Sequence, residues 1–321
     1  MKKYKVIIDT DPGVDDATAL VFALNEPQLD IKLFTISGGN IHLSKASRNM
    51  CHLLDIFDVD IPVVNGYSER LGSSNEFAYF LHGEEGLGNY IPPKTTKHKP
   101  LNEDCADAMY KIITENPHEI TMIILGPHTN FAYLLAKHPD AARLIKQVLM
   151  MGASLDGIKT NPNHKSFNIR TDALAFKQTV KSKLPVLMCP SKFGRDYAYW
   201  TEEQVNELKN SNMIGKFLAK TYETYWEPNY PEKIIANCDL SAIYFLLYPK
   251  YYKAKKAFVD VDTEVNIGAT VGHYDKKGYF NIVQDINRPK FMKMLMKKLH
   301  EFDGKEFSNP TFKKNLKEKS E

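Results

Sequence analysis

Four carboxylates fall within eight residues near the start of the chain, in Val6-Ile7-Ile8-Asp9-Thr10-Asp11-Pro12-Gly13-Val14-Asp15-Asp16-Ala17. Pro12 and Gly13 suit a sharp turn, because proline presets φ and glycine accepts unusual backbone angles. Asp15 or Asp16 could cap a helix that starts here by accepting from its free N–H groups, which accounts for one or two of the acids. Four carboxylates at one place repel one another without a cation, so the stretch points to a hard divalent metal held by oxygen. It is not an EF-hand, since that loop's glycine and distal glutamate are absent at the required offsets.

To hold such a cluster the chain needs a strand that ends at it and a helix that leaves it. Residues 4–8 read as a buried strand and 16–24 as a helix, followed by a strand over 31–36 and a helix over 44–56. The pattern returns with helix 102–114, strand 119–125, helix 130–136 and strand 147–151, then helix 171–180 and strand 185–189. That alternation predicts an α/β fold, an open Rossmann-like, mostly parallel central sheet flanked by helices, with ligands at the carboxyl ends of its strands. Between Gly66 and Pro100 the text turns Gly-, Pro- and polar-rich, and a long irregular segment of that kind inside a domain is often functional. Aromatic helices follow over 202–226. Residues 257–283 alternate in the β manner around Asp275-Lys276-Lys277-Gly278, which predicts a C-terminal antiparallel hairpin, and a closing helix spans 288–300.

Composition narrows the class. Hydrophobic and charged shares of 43% and 25% are those of an ordinary globular chain, and no repeat or linker divides its 321 residues, so a single domain is expected. The net charge is only +3, and much of the surplus sits in Lys313, Lys314, Lys317 and Lys319, read as a mobile basic tail from about residue 305. No basic aromatic face suggests a nucleic-acid polymer. The apolar stretch after Lys2 and Lys3 stops at Asp9, too short for a secretory signal, and no run of about 18 apolar residues could span a membrane, so the cytoplasm is the expected address. Cys51, Cys105, Cys189 and Cys238 are scattered without a C-x-x-C pair, which removes zinc and redox motifs and predicts free thiols.

Asp9 to Ala17 match the signature D-x-D-P-G-x-D-D-A without a gap, and further elements follow in order: Gly39-Asn40, His82-Gly83, Leu125-Gly126-Pro127-His128-Thr129-Asn130, Phe167-Asn168 and Asp239. In these motifs the chain resembles the nucleoside hydrolase family, the inosine-uridine preferring kind included, from about residue 5 to beyond 285. The resemblance implies hydrolysis of the N-glycosidic bond of a ribonucleoside to free base and ribose, and a homodimer or homotetramer. It further implies one Ca²⁺ held by Asp11, both oxygens of Asp16, the Leu125 carbonyl and Asp239, all hard oxygen donors. A water on that cation would attack the anomeric carbon while Asp11 takes its proton. Asp15, Asn40, Asn168 and Asp239 would hold the ribose hydroxyls around an oxocarbenium-like transition state, and His82 would contact the substrate from a segment able to close over the base.

Two positions depart from that pattern. Where the family has Glu two residues before Asn, to grip the sugar's 5′-hydroxyl, this chain has Ser166-Phe167-Asn168, which implies slower action on ordinary nucleosides and tolerance of 5′-deoxy or 5′-substituted ones. Where inosine- and uridine-preferring members carry a His that protonates the leaving base, Cys238 precedes Asp239, and a thiol with a pKa near 8.5 is a poorer donor at neutral pH. Asn161 or Asn163 could replace the family's Gly-Asn dipeptide, or could equally be turn residues. Tyr222, Tyr225, Trp226 and Tyr230 could stack on a base or belong to the core. Two other readings compete: a haloacid-dehalogenase-like phosphatase, whose nucleophile motif Asp9-x-Asp11 resembles, and a nucleoside- or ribose-binding protein that keeps the cation but has lost turnover.

Overall fold

The computed structural model describes residues 2–72, 76–153, 155–156, 159–160, 165–226 and 233–317. Its centre is a nine-stranded sheet, with strands β1 (Tyr4–Thr10), β2 (Leu29–Ile36), β3 (Val63–Asn65), β4 (Thr121–Ile124), β5 (Gln147–Met151), β6 (Val186–Cys189), β7 (Tyr252–Val261), β8 (Thr270–Tyr274) and β9 (Phe280–Ile286). Their spatial order is β8-β7-β9-β6-β5-β4-β1-β2-β3. All neighbours are parallel except β7, which runs antiparallel to both β8 and β9.

Alternation along β1 explains why both faces of the sheet are covered. Val6 and Ile8 join one apolar cluster and Ile7 the other, as a period of two requires. The first cluster lies under α1 (Val14–Leu24), α2 (Leu43–Phe57) and the helix Cys238–Leu247; the second lies under the helices Cys105–Glu115 and Ala173–Ser182. Residues Cys238–Leu247 are buried along their whole length. A helix that is apolar all round is a core helix, and this one packs on α1 and brings Asp239 to the first turn of α1.

The C-terminal strands differ from expectation in one respect. The turn Asp275–Gly278 forms, with Gly278 N–H donating to Asp275 O at 2.9 Å, but the strands it joins, β8 and β9, do not pair. β7 lies between them, and the hairpin is β7–β8, closed where Asp262 accepts from the backbone N–H groups of Glu264, Val265 and Asn266 at 2.8, 3.0 and 2.9 Å.

Of the stretch expected as a basic tail, residues up to 317 are described and Lys319 lies outside them. Residues 310–317 form a helix whose Phe312 is fully buried beside Phe217, with ring centroids 5.7 Å apart, while Phe307 packs on Phe57 at 5.5 Å. Lys313, Lys314 and Lys317 occupy its exposed face, so the charge run marks the wet side of an amphipathic helix. Among the described residues, no helix is long and apolar enough to cross a membrane.

Candidate active site

The four N-terminal acids divide into distinct roles. Asp9 is buried in the sheet, where its Oδ2 accepts from Thr35 Oγ1 at 2.6 Å and Asn130 Nδ2 at 2.7 Å. Burial pushes its pKa up to about 7 against those hydrogen bonds. It braces the strand end, so Asp9 itself is held away from the role of a phosphatase nucleophile. Asp16 realises the capping reading in part, its Oδ2 accepting from Gly13 N–H at 3.1 Å, and its Oδ1 accepts from Thr10 Oγ1 at 2.5 Å.

Asp11 lies past the end of β1 between two glycines that make room for it. A Cβ on Gly39 would fall 2.0 Å from its Oδ2, and one on Gly126 would fall 2.6 Å from its Oδ1. Oδ2 accepts from Asn40 N–H at 2.6 Å, whereas Oδ1 is buried with no hydrogen-bond partner. Asn40 also donates through Nδ2 to Asp16 Oδ2 at 2.8 Å, so one asparagine orients both acids.

Asp239 completes the cluster. Asp15, Asp16 and Asp239 each offer a carboxylate oxygen within 4.8 Å of the other two. Both Asp239 oxygens are buried without a hydrogen-bond partner. Burial, and then the charges of Asp15 and Asp16, hold the Asp239 carboxyl well above its usual range; burial and Asp16 do the same to Asp11. Leaving buried carboxylate oxygens unpartnered is costly, so this donor set fits a hard cation.

The remaining expected residues converge to different degrees. The Leu125 carbonyl, one residue past β4, accepts from Asn168 Nδ2, which brings Asn168 to the carboxylate end of the sheet. His82 is buried, its Nδ1 accepts from Val14 N–H at 3.1 Å, and its ring lies 5.2 Å from that of Tyr225. That contact places the proton of the neutral imidazole on Nε2, and burial pushes the pKa down to about 3, so His82 is a neutral donor.

Ser166 is buried, with Oγ 2.8 Å from where a Cβ on Gly152 would lie; Phe167 is half-buried under the Arg170 guanidinium at 5.4 Å. Cys238 donates its thiol to Ser191 O at 3.5 Å, toward the short helix Ser191–Asp196. Tyr222 belongs to the core, its hydroxyl 2.6 Å from Thr18 Oγ1 and accepting from Trp200 Nε1 at 3.1 Å. Trp226 is half-buried with Lys233 5.6 Å from its ring centroid. Asn161, Asn163 and Tyr230 lie outside the described residues. Sequence reasoning gave no role to Thr10 and Thr35, small polar residues whose only signal was proximity to strand ends, and quoted Gly126 and Asn130 merely as parts of a motif.

Residues 6–293 match the family described as inosine-uridine preferring nucleoside hydrolase. The chain belongs to this family. It is 32% identical over 268 residues to the non-specific ribonucleoside hydrolase RihC of Salmonella enteritidis PT4, covering 83% of this chain and 86% of that protein. The plant nucleoside hydrolase PpNRh1 superposes with a TM-score of 0.83 at 28% identity, over 92% of this chain and 98% of that one. A purine-preferring ribonucleoside hydrolase from Gardnerella vaginalis, at 24% identity over 93% and 98% of the two chains, shares the fold with a TM-score of 0.84. This nucleoside hydrolase is therefore a hydrolase of N-glycosyl bonds, acting on a small nucleoside, in a metal-dependent family whose acidic cluster it retains. The phosphatase reading gives way to it.

Proposed function

We propose that this nucleoside hydrolase uses Ca²⁺ to cleave ribonucleosides, and that its 5′ subsite favours sugars lacking an ordinary 5′-hydroxyl grip. The observation that carries the metal half is the pair of Asp239 oxygens, both buried and unpartnered beside Asp15 and Asp16. Asp11, Asp16, Asp239 and the Leu125 carbonyl would hold the ion. A carbonyl oxygen has two lone pairs, so the bond from Asn168 leaves Leu125 able to serve. Bound there, Ca²⁺ supplies charge neutralisation and makes a neighbouring water more acidic.

The chain's own groups do the rest. Asp11 is oriented by Asn40 N–H through Oδ2, so Oδ1 is the basic atom that receives the proton of the attacking water. Asn40, Asn168 and Asp15 surround the place of the ribose hydroxyls, and the carboxylates stabilise the positive charge that develops on the sugar. His82, proton on Nε2, orients the substrate as a neutral hydrogen-bond donor. Ser166 offers a short neutral hydroxyl where a carboxylate would reach for the 5′-hydroxyl. Cys238, bonded to Ser191 O, protonates no leaving base, so turnover rests on bases that depart without that help.

The test is release of free base from a panel of common and 5′-modified nucleosides with calcium present, repeated after chelation. Loss of activity on chelation and its return with calcium are expected. Full activity in chelator with no residual metal by elemental analysis would overturn the calcium reading, and ligand binding without base release would make the chain a binding protein.

A further inference from the structure

Helix α2 carries two fully buried polar residues that the reaction does not use, His52 and Asn49, and Asn49 is the one that reaches the acidic turn. Its Nδ2 donates to Pro12 O, in the turn that presents Asp11, at 3.2 Å, and to Glu85 O, in the loop after His82, at 2.9 Å. Its Oδ1 accepts from Arg48 Nη2 at 3.1 Å, so the carboxamide is engaged at both ends. The loop comes this close because position 86 is glycine: with φ +84°, its Cβ would lie 2.9 Å from Asn49 Nδ2 and 2.3 Å from Ile41 Cδ1. On the outer side Lys45 and Arg48 pair with Glu84 and Glu85. Those pairs are partly wet, and exposed ion pairs define position weakly, whereas a buried bidentate carboxamide defines it tightly.

We propose that Asn49 is a positioning residue for the hydrolysis: it ties loop 82–88 to the Asp11-Pro12-Gly13 turn, so that His82 and the carboxylates meet one substrate in a fixed relation. The direct link, Val14 N–H to His82 Nδ1, holds only the start of the loop. Asn49 holds its middle, and Gly88 N–H closes the loop on His82 O at 2.9 Å. Small displacements of substrate-orienting groups cost rate steeply. The proposal rests on the reading that His82 and the acids share a substrate.

The experiment is a double-mutant cycle of Asn49→Asp with His82→Ala, read by kcat and KM on a ribonucleoside with calcium, together with amide hydrogen exchange at Gly86 and Gly88. Asn49→Asp keeps the size but can donate to neither carbonyl. The expected result is a fall in kcat/KM of about tenfold or more in the parent, a fall of less than about threefold in the His82→Ala background, and faster exchange at Gly86 and Gly88. Equal losses in both backgrounds, or unchanged exchange at those glycines, overturn the proposal, since a merely structural role is additive. Should His82→Ala turn over like the parent, the substrate role of His82 fails, and exchange at Gly86 and Gly88 still decides whether Asn49 places the loop. If Asn49→Asp does not fold, Asn49→Leu removes the same two donors without a buried charge and is read in the same way.

Discussion

At Asp11 the two oxygens of one carboxylate have different surroundings, and that asymmetry separates orientation from proton transfer. Oδ2 is anchored by Asn40 N–H and Oδ1 is left without a partner. Asp11→Asn keeps the shape and one oxygen but cannot take a proton, so kcat is expected to drop by about two to four orders of magnitude, while calorimetry still shows calcium binding. Near-parent turnover would mean that another group is the base. At Ser166 the missing carboxylate predicts weak discrimination at the 5′ position. A hydrogen bond to a charged group contributes about 1.5–3 kcal/mol, so Ser166→Glu is expected to raise the preference for a nucleoside over its 5′-deoxy analogue by roughly ten- to a hundredfold. The same efficiency ratio in both proteins would place Ser166 away from the 5′ end.

Elements matter here through where they end. β1 delivers Asp9 to the sheet interior and Asp11 to the crevice beyond it: the two residues share a register at a period of two, but the strand ends at Thr10, so Asp11 stands where the chain leaves the sheet for the Pro12-Gly13 turn. The helix Cys238–Leu247 has no polar stripe, so only its first turn can carry a charged group, and Asp239 stands there. The C-terminal helix Pro310–Lys317 contributes packing. Phe312 lies against Phe217, and through it Tyr90, whose ring is 4.8 Å from that of Phe217. Deleting so large a buried side chain typically costs about 3–5 kcal/mol, and Phe312→Ala is expected to lower the denaturation midpoint accordingly. A variant as stable as the parent would restore the reading of this segment as a loose tail.

Across the whole molecule, buried titratable groups pull stability in opposite directions with pH. His52 is buried, donates to or accepts from Tyr90 Oη at 2.7 Å, and is pushed down by burial to about 4; His128, 2.8 Å from Thr179 Oγ1, is pushed down to about 3. Between pH 6.5 and 4 the unfolded chain therefore binds a proton that the native His52 does not, and stability is lost as pH falls through that window. Asp9, raised to about 7, has the opposite sign, since its native form keeps a proton that the unfolded form releases. Comparing the parent with His52→Gln cancels Asp9. The stability advantage of the parent at pH 7 is expected to shrink between pH 6.5 and 4 by up to about 3 kcal/mol, at 1.36 kcal/mol per pKa unit. Parallel stability curves for the two proteins would show that His52 titrates normally.

Much of this was legible before folding. The strand-to-turn-to-helix passage at Asp9–Ala17, the alternation that yields a mostly parallel sheet and the acids at its carboxyl end all follow from local periodicity and turn chemistry, which are properties of neighbouring residues. The same local reading missed the helix over 310–317, where lysines on one face concealed Phe312 on the other, and it joined β8 to β9 because a turn specifies a reversal but not which strand will lie between. It could not divide the four acids either. Asp9 is a brace because Thr35 and Asn130 reach it from 26 and 121 residues away, and Asp239 joins Asp15 and Asp16 only because an apolar helix packs against α1. Long-range contacts of that kind depend on how faces pack, and packing is settled only when the whole chain has chosen its neighbours.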